Sequence, residues 1–352
     1  MTKILSLCII ILALCVAIYA LNWSKLISTC FGVIADCRFP KIVQNFINKQ
    51  YVAFFNINLS DFQPLESYKS LNELFTRGLR KMRDFDKSEN IIISPCDSLV
   101  IESGKVESGR ALQIKGFSYE VAPLLGVNAR DLSPNLYYAN LYLSPRDYHR
   151  YHAPTDMFVE SVVHFKGALL PVHQKSLNKN QNLFIRNERV VVNARTKSGA
   201  KLYFVAVGAL NVGNIIFYIE PKLQESFSGK KQEFFYKEPK FVRKGEELGM
   251  FKMGSTIVLF VESGNSSLEL HSADFGIFGA SQTTSLVSAP KIPKNYESQT
   301  ENLSVVDSAQ SAESSEKIKS KKPIKDSDSA HNITIFKQGE KIKFGEALFK
   351  LN

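Results

Sequence analysis

The stretch Lys244-Gly-Glu-Glu-Leu-Gly-Met-Phe-Lys-Met-Gly-Ser-Thr-Ile-Val-Leu-Phe260 combines the two patterns that decide the fold of this chain. Its Gly-Glu start is typical of a tight turn, and the β-branched and aromatic run at residues 257–261 is typical of a strand. Similar runs recur after Arg83, separated by Gly, Asn, Pro and Ser, at residues 91–93, 99–101, 141–143, 158–163, 190–192, 202–207 and 215–219. Short runs at this spacing predict a mainly antiparallel β domain.

The part of the chain before these runs has a helical pattern. Residues 31–62 mix Ile, Val and Phe with Lys and Asn, and Pro40 marks the start of a helix. Residues 71–79 predict one more short amphipathic helix, ended by glycine. The helical part is either a packed subdomain or a helix or two lying in a membrane interface. The predicted fold class is therefore α+β, dominated by antiparallel β structure.

The N-terminus carries an apolar segment, residues 4–21, which has no charge and is long enough to span a bilayer as a helix. An aromatic and cationic flank, Asn22-Trp-Ser-Lys25, follows it. The alternative is a secretory signal that starts at Lys3. Cleavage after Ala20 would place Ile18, instead of a small residue, at the third position before the cut, which makes a poor cleavage site. We expect one transmembrane segment. Because more positive charge follows the segment than precedes it, we expect the body of the protein on the cytoplasmic side.

Composition limits the possible partners and metal sites. The chain has 352 residues, 44% of them apolar, and a formal net charge of +10, which favours nucleic acid or an anionic membrane surface. It lacks the alternation of aromatic and basic residues that stacks bases, so we expect no nucleic-acid partner. None of its five cysteines forms a Cys-x-x-Cys pair, which argues against a disulfide framework and against a zinc site.

A segment near the C-terminus differs from the rest. Residues 281–330 hold 12 serines, one aromatic residue, and 7 lysines against 7 acidic residues, so we expect a disordered insert. After it, Gly345-Glu-Ala-Leu348 echoes Gly245-Glu-Glu-Leu248. We interpret both as turn-plus-strand units of one β layer, which predicts that the insert loops out of the β domain. Lipoyl-carrier modules use such turns too, but no lysine stands at a carrier hairpin here.

Three groups of residues have chemical potential. The hydroxyl of Ser255 can attack the carbonyl before it, and a serine that cleaves its own chain can become a pyruvoyl group. His149 and His152 stand three residues apart beside Asp147, a spacing that points both rings to one side in a turn or helix but not in a strand. Asp97 follows the run at 91–93 and could orient a histidine. Each group taken alone is equally compatible with ordinary turns and loops.

Taken in order, these motifs resemble the phosphatidylserine decarboxylases. The resemblance covers about residues 31–275 and the C-terminal end. It is carried by Phe75-Thr-Arg77, Pro95-Cys-Asp97, Ile114-Lys-Gly-Phe-Ser-Tyr119, Leu143-Ser-Pro-Arg-Asp-Tyr-His-Arg-Tyr-His152, Asn182-Leu-Phe-Ile-Arg-Asn-Glu-Arg189, Gly208-Ala-Leu-Asn-Val-Gly213 and Phe251-Lys-Met-Gly-Ser-Thr256.

The resemblance implies a proenzyme that cleaves itself between Gly254 and Ser255 and carries a covalent pyruvoyl cofactor made from Ser255. It implies that Asp97, His152 and Ser255 form the cleavage triad. The pyruvoyl group would decarboxylate phosphatidylserine to phosphatidylethanolamine and CO₂ through a Schiff base. His149 is implied as the proton donor to the carbanion, and Asp147 as an assisting residue that holds one histidine.

The predicted organisation follows from these assignments. We expect an anchor or signal at residues 1–24, a helical membrane-associating region at 25–85, a catalytic β-rich domain at 86–280, the insert at 281–330, and C-terminal strands of the catalytic domain at 331–352. The implied partners are the phospholipid substrate, a membrane, the paired β and α chains of the cleaved proenzyme, and a second copy in a homodimer.

Several alternatives stay open. The predicted location is a bacterial inner membrane, with the mitochondrial inner membrane as the alternative. The chain could also be an uncleaved, inactive membrane-anchored relative, or it could decarboxylate another seryl phospholipid. The arginines Arg77, Arg80, Arg146 and Arg150 could face the phosphodiester or the lipid surface.

Overall fold

The computed structural model describes residues 32–114, 116–209, 215–225, 229–252, 255–263, 269–270 and 339–351. Strands make up most of the regular structure in this part of the chain. They are β1 (Ile91–Ile93), β2 (Ser98–Lys105), β3 (Arg110–Ile114), β4 (Phe117–Glu120), β5 (Leu136–Leu143), β6 (Arg150–His152), β7 (Met157–Phe165), β8 (Arg189–Thr196), β9 (Lys201–Val207), β10 (Ile215–Phe217), β11 (Lys231–Val242), β12 (Glu247–Phe251), β13 (Ser255–Glu262), β14 (Glu269–Leu270), β15 (Lys341–Ile342) and β16 (Ala347–Lys350).

The helices are short apart from the first. They are α1 (Lys41–Phe55), α2 (Leu71–Phe75), α3 (Val121–Leu125), α4 (Gln174–Leu177) and α5 (Leu183–Arg186), with 3₁₀ turns at Leu65–Ser67, Ala129–Asp131 and Pro221–Gln224. The helix α1 begins directly after Pro40, as the sequence predicts. The helix α2 ends at Phe75, earlier than predicted, because the Thr76 hydroxyl and N–H both donate to the Asn72 carbonyl and close the last turn.

The largest sheet has eight strands in the order β11-β7-β8-β9-β13-β5-β2-β15. All strand pairs in the described residues run antiparallel. The strand β13 lies between β9 and β5, and its first seven residues are buried, so it forms the centre of the hydrophobic core. The predicted β-dominant antiparallel fold is therefore confirmed.

Two three-stranded sheets, β10-β12-β6 and β1-β16-β14, and the hairpin β3-β4 complete the architecture. Residues 339–351 contribute to two sheets, since β15 pairs with β2 and β16 pairs with β1. All the described residues belong to one compact unit of the chain. The domain boundaries remain predictions, and the proposed insert at 281–330 lies outside the described residues.

The two Gly-Glu turns are structurally alike. Gly245 and Gly345 both have positive φ, at 80° and 96°. A Cβ atom on Gly245 would lie 2.3 Å from the Phe85 ring, and one on Gly345 would lie 3.3 Å from the Phe85 Cβ, so both turns pack on one aromatic side chain. The strands that follow lie in different sheets, β12 beside β6 and β16 beside β1. The prediction of one shared layer was therefore wrong, because each strand pairs with a different partner.

The helices of the described residues bear on membrane association. No helix in the described part of the chain has the length and apolar content needed to cross a bilayer. The apolar segment at residues 4–21 lies outside the described residues, so the transmembrane segment stays a prediction.

The helix α1 has an unusual distribution of side chains. Its buried residues are polar: the Gln44 amide donates to Asn48, and the Asn48 amide donates to the Tyr68 carbonyl. Its exposed side includes Ile42, Phe46 and Phe54, which are 87%, 64% and 82% exposed. An apolar helix face turned away from the protein is typical of a surface that contacts another apolar medium.

Candidate active site

The strand β13 begins at Ser255, whose side chain is completely buried. Ser255 pairs with Leu143, the last residue of β5, and the next residue, Thr256, pairs with both β5 and β9. The hydroxyls of Ser255 and Thr256 have no hydrogen-bond partner among the described residues. Because buried hydroxyls are normally paired, an unpaired serine oxygen at this position is a candidate reactive group. Gly254 lies outside the described residues.

A tight turn follows β5 and carries Asp147. The Asp147 carboxylate accepts hydrogen bonds from the Ser144 N–H and hydroxyl, at 2.7 and 2.6 Å, and so fixes the turn. Burial raises the pKa of this carboxyl group, while the bonds from Ser144 oppose that shift. Asp147 also holds one histidine, as expected, but does so through its main-chain carbonyl rather than its carboxylate.

His149 is that histidine, and its ring is fully buried. Its Nδ1–H donates to the Asp147 carbonyl at 2.8 Å, and its ring lies 3.9 Å from the ring of Phe75, centroid to centroid. Because a carbonyl only accepts hydrogen bonds, Nδ1 carries the proton and Nε2 has an unprotonated lone pair. That Nε2 atom is buried and has no partner among the described residues. Burial, and then the charge of Arg77, lower the pKa of His149 to about 3.

His152 lies in different surroundings. Its Nδ1–H donates to the Gly245 carbonyl at 2.9 Å, and its Nε2 accepts from the Tyr148 hydroxyl at 3.0 Å. The ring stacks on Phe344 with a centroid separation of 3.9 Å. Burial is the largest cause that lowers the pKa of His152 to about 4, although the bond to Gly245 opposes it. Both histidines are therefore neutral at pH 7.

The two histidines do not point the same way. The segment Arg150–His152 is the strand β6, and side chains three apart on an extended chain alternate between faces. His149 accordingly packs on Phe75, whereas His152 packs on Phe344. Only His152 lies in the strand, and His149 directly precedes it.

Asp97 is not in direct contact with His152. Its carboxylate accepts from Arg83 at 2.5 and 3.1 Å and from the Phe344 N–H at 2.8 Å. Phe344 therefore links the two residues, with its main chain on Asp97 and its ring on His152. The structure thus brings Asp97, Phe344 and His152 into one cluster, but it does not join the carboxylate to the imidazole as the resemblance implies.

Three residues of this cluster were missed from the sequence. Tyr148 could have been found, because it stands between Asp147 and His149 in the most informative motif. Arg83 lies in an ordinary charged stretch and Phe344 stands 247 positions after Asp97, so neither has a local signal. A contact between distant parts of the chain has no sequence period.

The arginines expected to face a lipid divide into two groups. Arg150 pairs with Glu247 at 3.0 Å, and Arg80 donates to the Ser60 carbonyl, so both have structural partners. Arg77 is buried and donates to main-chain carbonyls. Arg146 is exposed. Arg80 and Arg146 are both exposed, and of the two only the Arg146 side chain makes no hydrogen bond or ion pair within the described part of the chain.

The fold and the site define a class of protein: a β-rich chain whose central strand begins at a buried serine after a glycine, and which buries two neutral histidines at one short strand. Residues 71–281 match the sequence profile of the family described as phosphatidylserine decarboxylase.

Individual relatives agree with this match. The phosphatidylserine decarboxylase proenzyme of Helicobacter pylori is 50% identical over 241 residues, which cover 68% of this chain and 90% of the relative. The proenzyme of Campylobacter jejuni is 40% identical, covering 69% and 92%. The mitochondrial proenzyme 1 of Oryza sativa is 32% identical, covering 67% of each chain. The chain belongs to the phosphatidylserine decarboxylase family and is an enzyme of that activity.

Proposed function

We propose that the chain is a proenzyme that cleaves itself between Gly254 and Ser255 and uses the resulting pyruvoyl group to decarboxylate phosphatidylserine. The observation that carries this proposal is the Ser255 hydroxyl at the first residue of the central strand, which is buried and has no partner among the residues that the structure describes. The relatives are named proenzymes, which fits a chain that matures by cleavage.

Self-cleavage would begin as an attack by the serine on the peptide bond that precedes it. The Ser255 oxygen attacks the Gly254 carbonyl carbon, its proton passes to a neutral imidazole, and the peptide C–N bond breaks to leave an ester. The bond between the serine Cβ and the ester oxygen then breaks as the serine Cα loses a proton. This leaves a carboxylate on Gly254 and a dehydroalanine at position 255. Addition of water and loss of ammonia turn that residue into a pyruvoyl group. The products are a β chain that ends at Gly254 and an α chain of residues 255–352.

The proton acceptor for cleavage is His152, following the family resemblance. Its low pKa supports this role, because only the neutral imidazole can accept a proton. Its Nε2 is bonded to the Tyr148 hydroxyl, so transfer from Ser255 requires Tyr148 either to relay the proton or to turn away. Asp97 supports His152 through Phe344 and through the charge of Arg83, rather than by direct contact.

The residues around Ser255 suit a pyruvoyl group, since the position is fully buried and the Phe251 N–H, four residues before it, donates to the His149 carbonyl at 3.0 Å. The group supplies a ketone that condenses with the headgroup amine and takes up the electrons released with CO₂. His149 has the free nitrogen that this reaction requires. Following the family resemblance, His149 is the residue that delivers a proton to the carbon that has lost CO₂.

Membrane association is part of the proposal. The exposed apolar side of α1, formed by Ile42, Val43, Phe46 and Phe54, supports contact with the acyl region of a bilayer. We propose that this face lies on the membrane beside an anchor at residues 4–21, with the enzyme on the cytoplasmic side of a bacterial inner membrane. Homodimerisation is a further expectation from the family.

The test is CO₂ release from carboxyl-labelled phosphatidylserine by the purified protein. The wild-type chain should release CO₂, and Ser255→Ala should give an uncut chain that releases none. Ser103→Ala, in the nearby strand β2, is the matched control and should be cut and active. An active Ser255→Ala protein would refute the pyruvoyl proposal, and an inactive, uncut wild type would indicate an inactive relative.

A further inference from the structure

A cavity of about 280 Å³ lies beside the candidate active site. Its wall includes Asp97, Asp147 and Tyr148, the last of which bonds to His152. The same turn carries Asp147 and His149, so the cavity borders the residues proposed to handle protons. Asn56, where α1 ends, lies on another side of the cavity. The cavity therefore lies between the apolar helix and the catalytic cluster.

The carboxylates of this cavity already have partners. Arg83 donates to both Asp61 and Asp97, with its guanidinium held between the two. Asp147 is occupied by the N–H and hydroxyl of Ser144. These acids influence Arg77 and Lys341 through space, but their hydrogen bonds go to Arg83 and Ser144, and the wall holds five cations against three acids.

The most unusual of those cations is Arg77. Its side chain is 2% exposed, and it donates to the carbonyls of Leu74, Arg146 and Asp147. Among the described residues it forms no ion pair, and its Nε has no partner. Its guanidinium also lies 4.5 Å from the centre of the Phe62 ring and within the electrostatic influence of Asp97 and Asp147. Because no carboxylate bonds to it directly, an anion in the cavity would gain from its charge.

Three more cations surround the cavity. Arg146, Lys341 and Lys343 line it, their side chains are exposed, and none of them is in an ion pair within the described part of the chain. Lys341 and Lys343 flank Ile342 on β15, so both project from the same short strand and its following turn. Together with Arg77 they give the cavity four cations beyond the paired Arg83.

We propose that this cavity binds the phosphodiester of the phosphatidylserine headgroup, with Arg146, Lys341 and Lys343 as its direct contacts and Arg77 as a fixed buried charge behind them. This inference rests on the proposed function. A monoanionic phosphodiester offers the oxygen acceptors that clustered Arg and Lys side chains bind. The position between α1 and the catalytic cluster fits a headgroup whose acyl chains stay in the bilayer.

The site has a consequence for the mature enzyme. Arg146 precedes the cleavage point and the two lysines follow it, so the phosphodiester site contains residues of both cleavage products. It exists only while the β and α chains stay together. Free phosphate carries the same anionic oxygens as the phosphodiester, so inorganic phosphate should compete with the substrate for this site.

The test compares the triple variant Arg146→Gln/Lys341→Gln/Lys343→Gln with Lys175→Gln/Lys179→Gln/Lys237→Gln, which removes the same charge from exposed positions elsewhere. The substrate is dihexanoyl phosphatidylserine below its micelle concentration, which removes the membrane from the measurement. We expect the cavity variant to be cut normally, to show a KM raised about tenfold or more with kcat within about twofold, and to lose competition by inorganic phosphate. The control should match the wild type.

Three outcomes would overturn the inference. The first is an unchanged KM together with weaker binding to anionic vesicles, which would assign the cations to the lipid surface. The second is phosphate competition that survives in the cavity variant, which would place the anion elsewhere. The third is an equal effect in both triple variants, which would show an effect of net charge alone.

Direct binding measurements test this site independently of enzyme activity. Calorimetric titration with glycerophosphoserine and with inorganic phosphate requires no turnover, and thermal unfolding checks that each variant is folded. The wild type should bind both ligands and the cavity variant neither. If the wild type binds neither while releasing CO₂, the cavity proposal is wrong and the proposed function stands.

Discussion

The imidazole of His152 stacks on the ring of Phe344, with centroids 3.9 Å apart and planes inclined by 18°. The N–H of the same phenylalanine donates to Asp97 at 2.8 Å. Phe344 is 1% exposed and belongs to the segment that returns to the β domain after residues 264–338. The C-terminal segment therefore positions two of the residues proposed for self-cleavage.

Phe344→Leu should slow cleavage between Gly254 and Ser255 by about tenfold or more, because a smaller, non-aromatic side chain leaves the His152 ring free to tilt. Gel analysis of cleavage over time measures this effect. Phe349→Leu is the matched control, since Phe349 is equally buried in the same segment but packs outside the cluster. Both variants should lose about 1–2 kcal/mol of stability. Phe344→Tyr should restore cleavage, and equal slowing in both leucine variants would indicate a general folding defect.

Substitutions of the two histidines should block different steps, cleavage in one case and decarboxylation in the other. His152→Gln should block cleavage and leave a single chain. His149→Gln should be cut and then release CO₂ at least about 10²-fold more slowly, because the free Nε2 is lost. Cleavage is measured on a gel and turnover as labelled CO₂ per α chain. A cut and fully active His149→Gln protein would remove this residue from the reaction.

Both buried histidines should make stability depend on pH. Their pKa values in the folded protein, about 3 for His149 and about 4 for His152, lie below the usual 6.5, so below pH 6.5 the unfolded chain binds protons that the folded chain does not. The free energy of unfolding should therefore fall as the pH drops from 6.5 towards 4, by up to ~1.4 kcal/mol per pH unit for each histidine.

Denaturant titrations of the uncut Ser255→Ala chain at pH 7, 6 and 5 measure that slope. The range stays above the usual carboxyl pKa values, and Asp147, whose pKa is raised by burial, would act in the opposite direction to the histidines. Replacing both His149 and His152 by Gln should flatten the slope. A parent chain that is equally stable at pH 7 and pH 5 would show that the rings gain protons while folded.

The outward side of α1 should touch lipid. A photocrosslinking amino acid in place of Phe46 should label phospholipid in vesicles under ultraviolet light. The same group in place of Phe235, which is 73% exposed on β11, is the control and should label little. This comparison works whether or not an anchor at residues 4–21 holds the protein to the vesicle. Equal labelling at both positions would contradict the proposed docking face.

Much of the strand content could be predicted from the sequence, because β-branched runs report local preference and burial. The runs at 202–207 and 257–261 became β9 and the central β13. Their order could not be predicted, since β13 pairs with β5 and β9, which are distant in the chain. Pairing of distant strands depends on tertiary contacts that leave no local pattern.

The candidate site was predictable in composition but not in connectivity. The motif around Asp147, His149 and His152 drew attention to two histidines that the structure buries completely. It could not show that the two rings occupy separate surroundings, because that depends on an extended backbone. Nor could it show that Phe344 links Asp97 to His152, because Phe344 stands 247 positions after Asp97 in the chain.

The most direct test of the central claim is the intact mass of the purified protein. The account predicts two chains divided between Gly254 and Ser255. The chain of residues 255–352 should be lighter than its sequence by one ammonia. After reductive trapping with a hydride donor it should gain one phosphatidylserine, less water and CO₂, plus the two hydrogen atoms added to the imine. A single chain with the unmodified mass of all 352 residues would contradict both the self-cleavage and the pyruvoyl chemistry.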